Sequence, residues 1–165
     1  MTGDMPFARG PYLLDACICE KVLEEKDGVK SAIRMIDRLM HTVASPAPPH
    51  EMEPFEHAFA ILIRLKSGNI RGSRPLEIKL VKPSSEISTL FRQTIYFEGE
   101  DDRGIDIVVN MRMRFELTGL YWFQIHLDDM PITQIPLRVI YIPRVKQVPG
   151  ERGHSRPDQG SPRDS

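Results

Sequence analysis

The sequence has almost no net charge and no long apolar run. Its 22 Lys and Arg residues nearly balance its 23 Asp and Glu residues, giving a formal net charge of −1. Nucleic acids and anionic membranes attract clustered basic residues, so a chain without bulk basicity is not expected to bind either one. The longest apolar run, 58–63, is far shorter than the ~20 residues that a membrane-spanning helix needs. Residues 1–10 contain no apolar segment that would indicate a secretion signal, so we expect a cytoplasmic location.

Cysteine is scarce: the sequence contains two cysteines, Cys17 and Cys19. In a regular strand their side chains would lie about 7 Å apart, too far for an unstrained disulfide. A structural zinc site draws about four ligands, typically including a second cysteine pair, which this chain lacks. The sequence therefore predicts reduced thiols on a strand, with no metal site and no cofactor.

Sequence motifs of the common enzyme classes are missing. The chain has no Gly-x-Ser-x-Gly, no Gly-x-x-x-x-Gly-Lys, no Gly-x-Gly-x-x-Gly and no His-Glu-x-x-His. The cysteines lie in an early strand rather than at a helix N-terminus that would activate a thiol. We therefore predict no catalytic residue and no enzymatic activity.

Proline and glycine, by contrast, are plentiful, with 14 and 11 residues, and argue against a helical bundle. Four prolines crowd the segment 45–54, which we interpret as a stiff surface loop. The segment 143–165 has too few aliphatic residues to offset the entropy of ordering, so we predict a disordered tail. The expected organisation is an arm at 1–11, one domain at 12–142 and this tail.

Apolar and polar residues alternate through most of the remaining chain, as in strands with one buried face. The segments 76–80, 107–117 and 121–127 show this pattern clearly. The segment 55–66 is apolar on both faces and is interpreted as a central strand. Asp128-Asp129 offers a tight turn into a last strand. These features predict an all-β protein.

The segment 29–43 supports two interpretations. Its apolar residues recur at the i, i+3, i+4, i+7 spacing of an amphipathic helix, which periodicity alone favours. The same residues also alternate as in a strand, and 25–28 looks like a hairpin turn leading into them.

Several segments together resemble a known family. They are "DACICEKVLEEKDGVKSAIRMIDRL", "HAFAILIRL", "PLEIKLVKP" and "LTGLYWFQIHLDDMPITQIPLRV". Their order resembles an uncharacterised bacterial family of small single-domain β-sandwich proteins of unknown function. In that family an N-terminal hairpin ends in an Asp-Arg pair, here Asp37-Arg38, and a late strand carries Gly-x-Tyr-x-Phe, here Gly119, Tyr121 and Phe123. The resemblance implies that 29–43 is strand. It gives no indication of an activity, because the function of that family is unknown.

The Gly-x-Tyr pattern is also similar to the tyrosine corner of immunoglobulin-like sandwiches. Combined with the alternation, it predicts a single antiparallel immunoglobulin-like or C2-like β-sandwich of seven or eight strands. The Pro-rich loop 45–54 would connect two strands of this sandwich without belonging to either sheet.

The candidate interaction patch comes from the faces of two strands opposite their apolar residues. Trp122, Gln124 and His126 share one such face, and Arg112 and Arg114 share another. Trp and Arg are enriched in binding hot spots, so these five residues form an aromatic and basic patch if their strands pair. If the strands lie in different sheets, the residues separate. A third interpretation packs Trp122 beneath a loop or against a second sheet.

Acidic loops are the basis of the alternative function. Glu98, Glu100, Asp101 and Asp102 crowd one loop, and clustered loop carboxylates can bind Ca²⁺. The leading hypothesis is a non-catalytic cytoplasmic module that binds a protein partner. The alternative is a β-sandwich that binds a small ligand. A more specific version of this alternative is that the binding depends on Ca²⁺. Exposed edge strands can pair with a second copy of the chain, so the sequence is also compatible with a homodimer.

Overall fold

The computed structural model describes residues 9–147, which form nine strands and no helix. In chain order the strands are β1 (Tyr12–Glu24), β2 (Lys30–Met35), β3 (Arg38–Ser45), β4 (Phe55–Lys66), β5 (Arg71–Val81), β6 (Ile87–Glu98), β7 (Gly104–Phe115), β8 (Gly119–Leu127) and β9 (Met130–Val145). The all-β prediction is confirmed. A helix able to cross a membrane is accordingly missing from residues 9–147.

The strands form two sheets. The first sheet has the order β2-β1-β4-β7, and the second has the order β3-β9-β8-β5-β6. Every pair is antiparallel except β3 with β9, which is parallel. The prediction of a purely antiparallel sandwich is therefore wrong for the second sheet. Alternation of apolar residues shows which face of a strand is buried, but it carries no information about strand direction.

The contested segment 29–43 forms two strands, so its helical interpretation is wrong. The chain leaves the first sheet at Ile36, whose N–H donates to the carbonyl of Ile18 at 2.8 Å. It joins the second sheet at the next residue, because the carbonyl of Asp37 accepts from the N–H of Arg138 at 3.2 Å. This crossover divides what the resemblance implied to be one strand, and it is one reason why the structure has nine strands rather than seven or eight.

The core lies between the sheets and is filled by alternate residues of the strands. Aromatic rings join the two layers. Phe59 of the first sheet meets Phe123 of the second edge to face, with ring centroids 5.7 Å apart. Phe115 and Tyr121 repeat this contact at 5.2 Å. The apolar faces of β4, β7 and β8 predicted from the sequence are thus the faces that pack together.

Two predicted turns are confirmed. The residues 25–28 reverse the chain between β1 and β2, and Gly28 supplies the positive φ of +84° that the turn needs. Asp128 and Asp129 join β8 to β9 with φ values of 50° and 62°. Positive φ at both central residues is the type I′ geometry that matches the twist of a hairpin.

The Pro-rich loop is irregular between β3 and β4 and is tied down by Tyr141, whose hydroxyl donates to the carbonyl of Pro49 at 2.7 Å. The predicted tail starts too early, because β9 continues to Val145 and pairs with β3 through 143–145. Backbone pairing with a neighbouring strand orders these residues despite their polar composition. The rest of the predicted tail, 148–165, and the first eight residues of the predicted arm lie outside the described residues.

Candidate functional site

The five predicted patch residues lie in two different sheets. Arg112 and Arg114 belong to β7 in the first sheet, whereas Trp122, Gln124 and His126 belong to β8 in the second. Alternation places each set on the outer face of its own sheet, with the core between them. The single patch that required β7 to pair with β8 is therefore not formed.

The two arginines of β7 have acidic neighbours on the first sheet. Arg112 lies 3.7 Å from a carboxylate oxygen of Glu56, which is on the neighbouring strand β4. Arg114 lies 3.6 Å from a carboxylate oxygen of Glu116. Both arginines are exposed, and exposed pairs of this kind contribute little to stability.

On the second sheet, the three β8 residues acquire a different set of charged neighbours. In register, Gln124 lies opposite Lys79 of β5, and His126 lies opposite Glu77 of β5. Glu77 in turn lies opposite Arg92 of β6. We call this group the β8 patch; it comprises Glu77, Lys79, Arg92, Trp122, Gln124 and His126. An aromatic and basic patch does exist, with Lys79 and Arg92 in place of the two β7 arginines.

Glu77 is the centre of the β8 patch and is 3% exposed, although it lies on the outer face of its sheet. The guanidinium of Arg92 donates to one of its carboxylate oxygens through both Nε and Nη2. The ammonium of Lys79 lies 3.6 Å from the other oxygen. A buried carboxylate needs such partners because removing it from water is costly. The two cations therefore hold the centre of the patch in one arrangement.

His126 borders this cluster. Its Nδ1 lies 3.4 Å from the carbonyl oxygen of Asp129. Its Nε2 is buried and has no hydrogen-bond partner among the described residues. Trp122, four positions earlier, is half-buried and lies opposite Val81 of β5 and Pro136 of β9. The indole therefore sits among apolar neighbours at one end of the patch, and the charges lie at the other.

The strand that carries the patch is fixed at both ends. Before it, the Tyr121 hydroxyl donates to the carbonyl of Leu117 at 3.0 Å and accepts from the N–H of the same residue at 3.1 Å. This is the tyrosine corner suggested by the sequence. After it, Asp128 in the type I′ turn lies 3.3 Å from Arg74 of β5. Fixed ends limit the freedom of the side chains between them.

Sequence reasoning missed Glu77, Lys79 and Arg92. Glu77 and Lys79 alternate with the core residues Leu76, Ile78 and Leu80, a pattern that puts them on an outer face. What it cannot show is that β5 lies between β6 and β8. Strand order was the missing information.

The cysteines are free, and both thiols lie on β1. Burial raises the pKa of the Cys17 thiol, and the Asp15 carboxylate raises it further. Burial and the neighbouring Cys17 raise the pKa of Cys19 as well. A thiol with a raised pKa is largely protonated near neutral pH and is a weak nucleophile. These two residues are accordingly poor candidates for nucleophilic catalysis.

The acidic loop between β6 and β7 is partly neutralised by Arg103. Its Nε lies 3.3 Å from a carboxylate oxygen of Glu100 and 3.5 Å from one of Glu98. Among residues 9–147, no three His, Cys, Asp or Glu side chains are close enough together to hold a metal ion. Calcium binding here would have to compete with Arg103 for the two glutamates.

Concave sites occur at the margins of the sandwich. A pocket of about 540 Å³ surrounds the crossover from β2 to β3; it is lined by Glu20, Arg34, Met35, Ile36, Asp37, Arg38, Leu39, Met40 and His57. The guanidinium of Arg38 is bonded to Asp37, which lowers the pKa of that carboxyl. The Nε2 of His57 is buried without a hydrogen-bond partner within the described part of the chain. This pocket is the strongest candidate for a small polar ligand.

Comparison with solved structures finds distant likenesses. One is the alkylpurine DNA glycosylase AlkC of Pseudomonas fluorescens, bound to DNA with an abasic-site analogue, at 7% identity and a TM-score of 0.39. The likeness covers 76% of this chain and 30% of the glycosylase, so the chain spans less than a third of that protein. Another is an immunoglobulin-like protein of Pseudomonas aeruginosa, at 11% identity and a TM-score of 0.28, covering 76% of this chain and 96% of that one. Neither likeness bears on function.

The family assignment comes from a different comparison. A search of curated proteins gives no match. The model of a family of unknown function, DUF6941, matches residues 14–140, which include every strand of the sandwich at least in part. The resemblance to an uncharacterised β-sandwich family is thereby confirmed, and the chain belongs to the DUF6941 family of unknown function.

Proposed function

We propose that this protein is a non-catalytic, cytoplasmic bacterial module that binds a protein partner through the β8 patch. The observation that carries the proposal is the burial of Glu77 on an outer sheet face, where Arg92 and Lys79 hold it opposite His126, on the strand that also carries Trp122. Tryptophan and arginine are the residue types that most often dominate binding energy. The immunoglobulin-like type of sandwich, supported by the tyrosine corner, would present this face on a rigid support.

The shape of the site favours a protein over a small molecule. The patch extends across three neighbouring strands of the five-stranded second sheet, β6, β5 and β8. Such a face is an open surface and not an enclosed pocket. Protein interfaces need about 800 Å² of surface on each partner. Partner contacts would centre on the half-buried indole of Trp122.

The test compares the two outer faces. The full chain, Trp122→Ala and the matched control Arg114→Ala are used as baits, and a protein retained by the full chain is identified, purified and titrated against each variant. We expect Trp122→Ala to weaken binding by at least about 30-fold, as for a hot-spot residue worth 2 kcal/mol. Arg114→Ala, on the opposite sheet, should leave affinity unchanged.

Circular dichroism and thermal melting must show that Trp122→Ala remains folded. A folded Trp122→Ala that binds as tightly as the full chain would exclude the β8 patch. Equal loss in Arg114→Ala would instead move the interface to the first sheet.

The second candidate function is binding of a small polar ligand in the crossover pocket. Its supporting observation is the buried Nε2 of His57, which has no hydrogen-bond partner in residues 9–147, in a pocket that also contains Arg34 and Arg38. Ligand binding to the native state raises the melting temperature. A melting screen of small anions and of Ca²⁺ would therefore support this candidate if one of them stabilises the full chain but not His57→Ala. Absence of any shift would contradict it.

A further inference from the structure

The two sheets leave four edge strands in the described part of the chain. They are β2 and β7 in the first sheet and β3 and β6 in the second. In an antiparallel ladder, alternate residues of a strand point their N–H and C=O groups away from the neighbouring strand. On an edge strand these groups face no further strand, so an edge can pair with another chain unless its side chains oppose this. Length, charge and exposure decide which of the four edges can do so.

Three of the four edges have features that oppose pairing with a second copy. β2 and β3 are six and eight residues long, and their charged side chains, Lys30, Arg34 and Arg38, are all basic. Neither strand can therefore offer an acidic group to a second copy of itself. β7 is twelve residues long, but its exposed side chains are all polar or charged, which is a feature that protects an edge from pairing.

β6 differs from the other edges. It spans twelve residues without Pro or Gly, and its charged residues are Arg92 and Glu98, one of each sign. Tyr96 lies between them and is 65% exposed. The pairing of β6 with β5 is regular from Phe91 to Glu98, because the register shift of this pair lies before Phe91. A long, regular edge with little charge and an exposed aromatic ring is the kind that pairs with another strand.

The two charged residues of β6 determine how a second copy would pair. When identical strands pair antiparallel about a two-fold axis, residues that lie opposite each other are equally far from the axis. Arg92 and Glu98 each lie three positions from Ile95, so they are opposite each other only when Ile95 lies on the axis. This register also places Thr94 opposite Tyr96, and a β-branched residue opposite an aromatic one is a favourable pair.

Both charged side chains can make this contact without giving up the β8 patch. Arg92 binds Glu77 through Nε and Nη2, and Nη1 takes no part in these bonds. Glu98 lies 3.5 Å from Nε of Arg103, and both of these side chains are exposed. A contact between exposed side chains contributes little, so Glu98 can exchange it for Arg92 of a second copy at small cost.

We propose that the protein forms a homodimer in which the β6 strands of two copies pair antiparallel about Ile95. Two Arg92–Glu98 pairs and two Thr94–Tyr96 pairs would lie symmetrically on the outer face. The second sheets of the two copies would join into one sheet of ten strands. The two β8 strands would then be five strand spacings of about 4.8 Å apart, roughly 24 Å, with both β8 patches on the same side.

The first experiment measures dimer formation by sedimentation velocity of the full chain, from about 1 µM to about 500 µM. We expect the sedimentation coefficient to rise with concentration to that of a dimer. Glu98→Lys puts a lysine opposite Arg92 at both ends of the interface. Replacing two opposite-charge pairs by two like-charge pairs should raise the dissociation constant at least about tenfold.

Glu116→Lys is the matched control, because it makes the same change of charge just after β7, the other long edge. The Glu98 and Glu116 side chains are 58% and 55% exposed, and each lies near an arginine of its own chain. Glu116→Lys should dimerise as the full chain does. A full chain that stays monomeric at every concentration, or equal weakening by the two substitutions, would overturn the proposal.

A second experiment locates the interface by amide hydrogen exchange. At concentrations that favour the dimer, amides within 92–98 should exchange more slowly than in the monomer, and those of β7 should be unchanged. Added protection on another edge strand but not on β6 would also overturn the proposal. The Trp122→Ala variant should dimerise normally, because Trp122 lies two strands away from this edge. The outcome is therefore independent of the protein-binding test.

Discussion

The outer faces of the two sheets both contain buried residues, but the chemistry of those residues differs. On the first sheet, Ala60 and Leu62 of β4 are 0% and 4% exposed and lie outside the main core. They face Cys19 and Cys17 of β1 across the strand pair, and β2 residues line the adjoining pocket. On the second sheet, the buried outer residue is Glu77, whose carboxyl group is paired with Arg92 and Lys79.

This difference matters for specificity. Apolar contact is non-directional, so the apolar residues on the outer face of the first sheet can tolerate small rearrangements. A buried carboxylate has to be matched by donors at defined positions. A single substitution on the second sheet can therefore change the arrangement of the face, whereas on the first sheet it mainly changes stability.

The largest loss of unfolding free energy is expected from Leu62→Ala. Truncating a buried leucine typically costs 2–5 kcal/mol, and we expect about 3 kcal/mol here. Urea unfolding of Leu62→Ala and of the control Leu23→Ala measures it. Leu23 is 42% exposed on β1 of the same sheet, so its truncation should cost less than about 1 kcal/mol. Equal costs would show that the outer face of the first sheet is not packed.

A smaller effect is expected from Arg92→Ala. It leaves Glu77 buried with Lys79 as its remaining cationic partner, so we expect a loss of about 2 kcal/mol of unfolding free energy. Arg64→Ala is the counterpart on the first sheet, where Arg64 pairs with the partly exposed Asp15 and Asp106. Its cost should stay below about 1 kcal/mol. If Arg64→Ala and Arg92→Ala lowered the unfolding free energy equally, the two outer faces would not differ in how strongly they depend on their ion pairs.

The smallest effect concerns the crossover that joins the two sheets. Arg38 lowers the pKa of Asp37 by hydrogen bonding and by its charge. A carboxyl whose folded-state pKa is lowered stabilises the fold above its unfolded pKa, and this contribution is lost as the pH falls through the folded value. Because both side chains are exposed, the change in stability should be slight. NMR titration should find the Asp37 pKa below its ordinary value and find it restored in Arg38→Ala; no difference between the two proteins would contradict the pairing.

Local features of the fold could be predicted from the sequence because their causes are local. The segment 55–66 is recognisable as a strand from apolar residues on both of its faces, and the Asp128-Asp129 turn follows from residues that tolerate positive φ. The tyrosine corner is likewise local, since Tyr121 bonds to a residue four positions earlier. Each of these features depends on a short stretch of chain.

The candidate site could be predicted only in part, because it depends on strand order. The β8 side of the patch was found by alternation, but the wrong arginines were assigned to it, since β7 pairs with β4 and β8 pairs with β5. The crossover at Ile36 was missed for a related reason. The apolar pattern of 29–43 continues across it, although the residues before and after belong to different sheets.

The parallel pairing of β3 with β9 has a consequence for synthesis of the protein on the ribosome. Arg38 pairs with Arg138, a residue that is translated one hundred positions later. At a translation rate of about 5–20 residues per second, β3 waits roughly 5–20 s for its partner strand. During that interval Leu39, which is buried in the finished core, lacks β9, the strand that joins β3 to the rest of the second sheet. The nascent chain therefore presents β3 as an unpaired strand until β9 emerges.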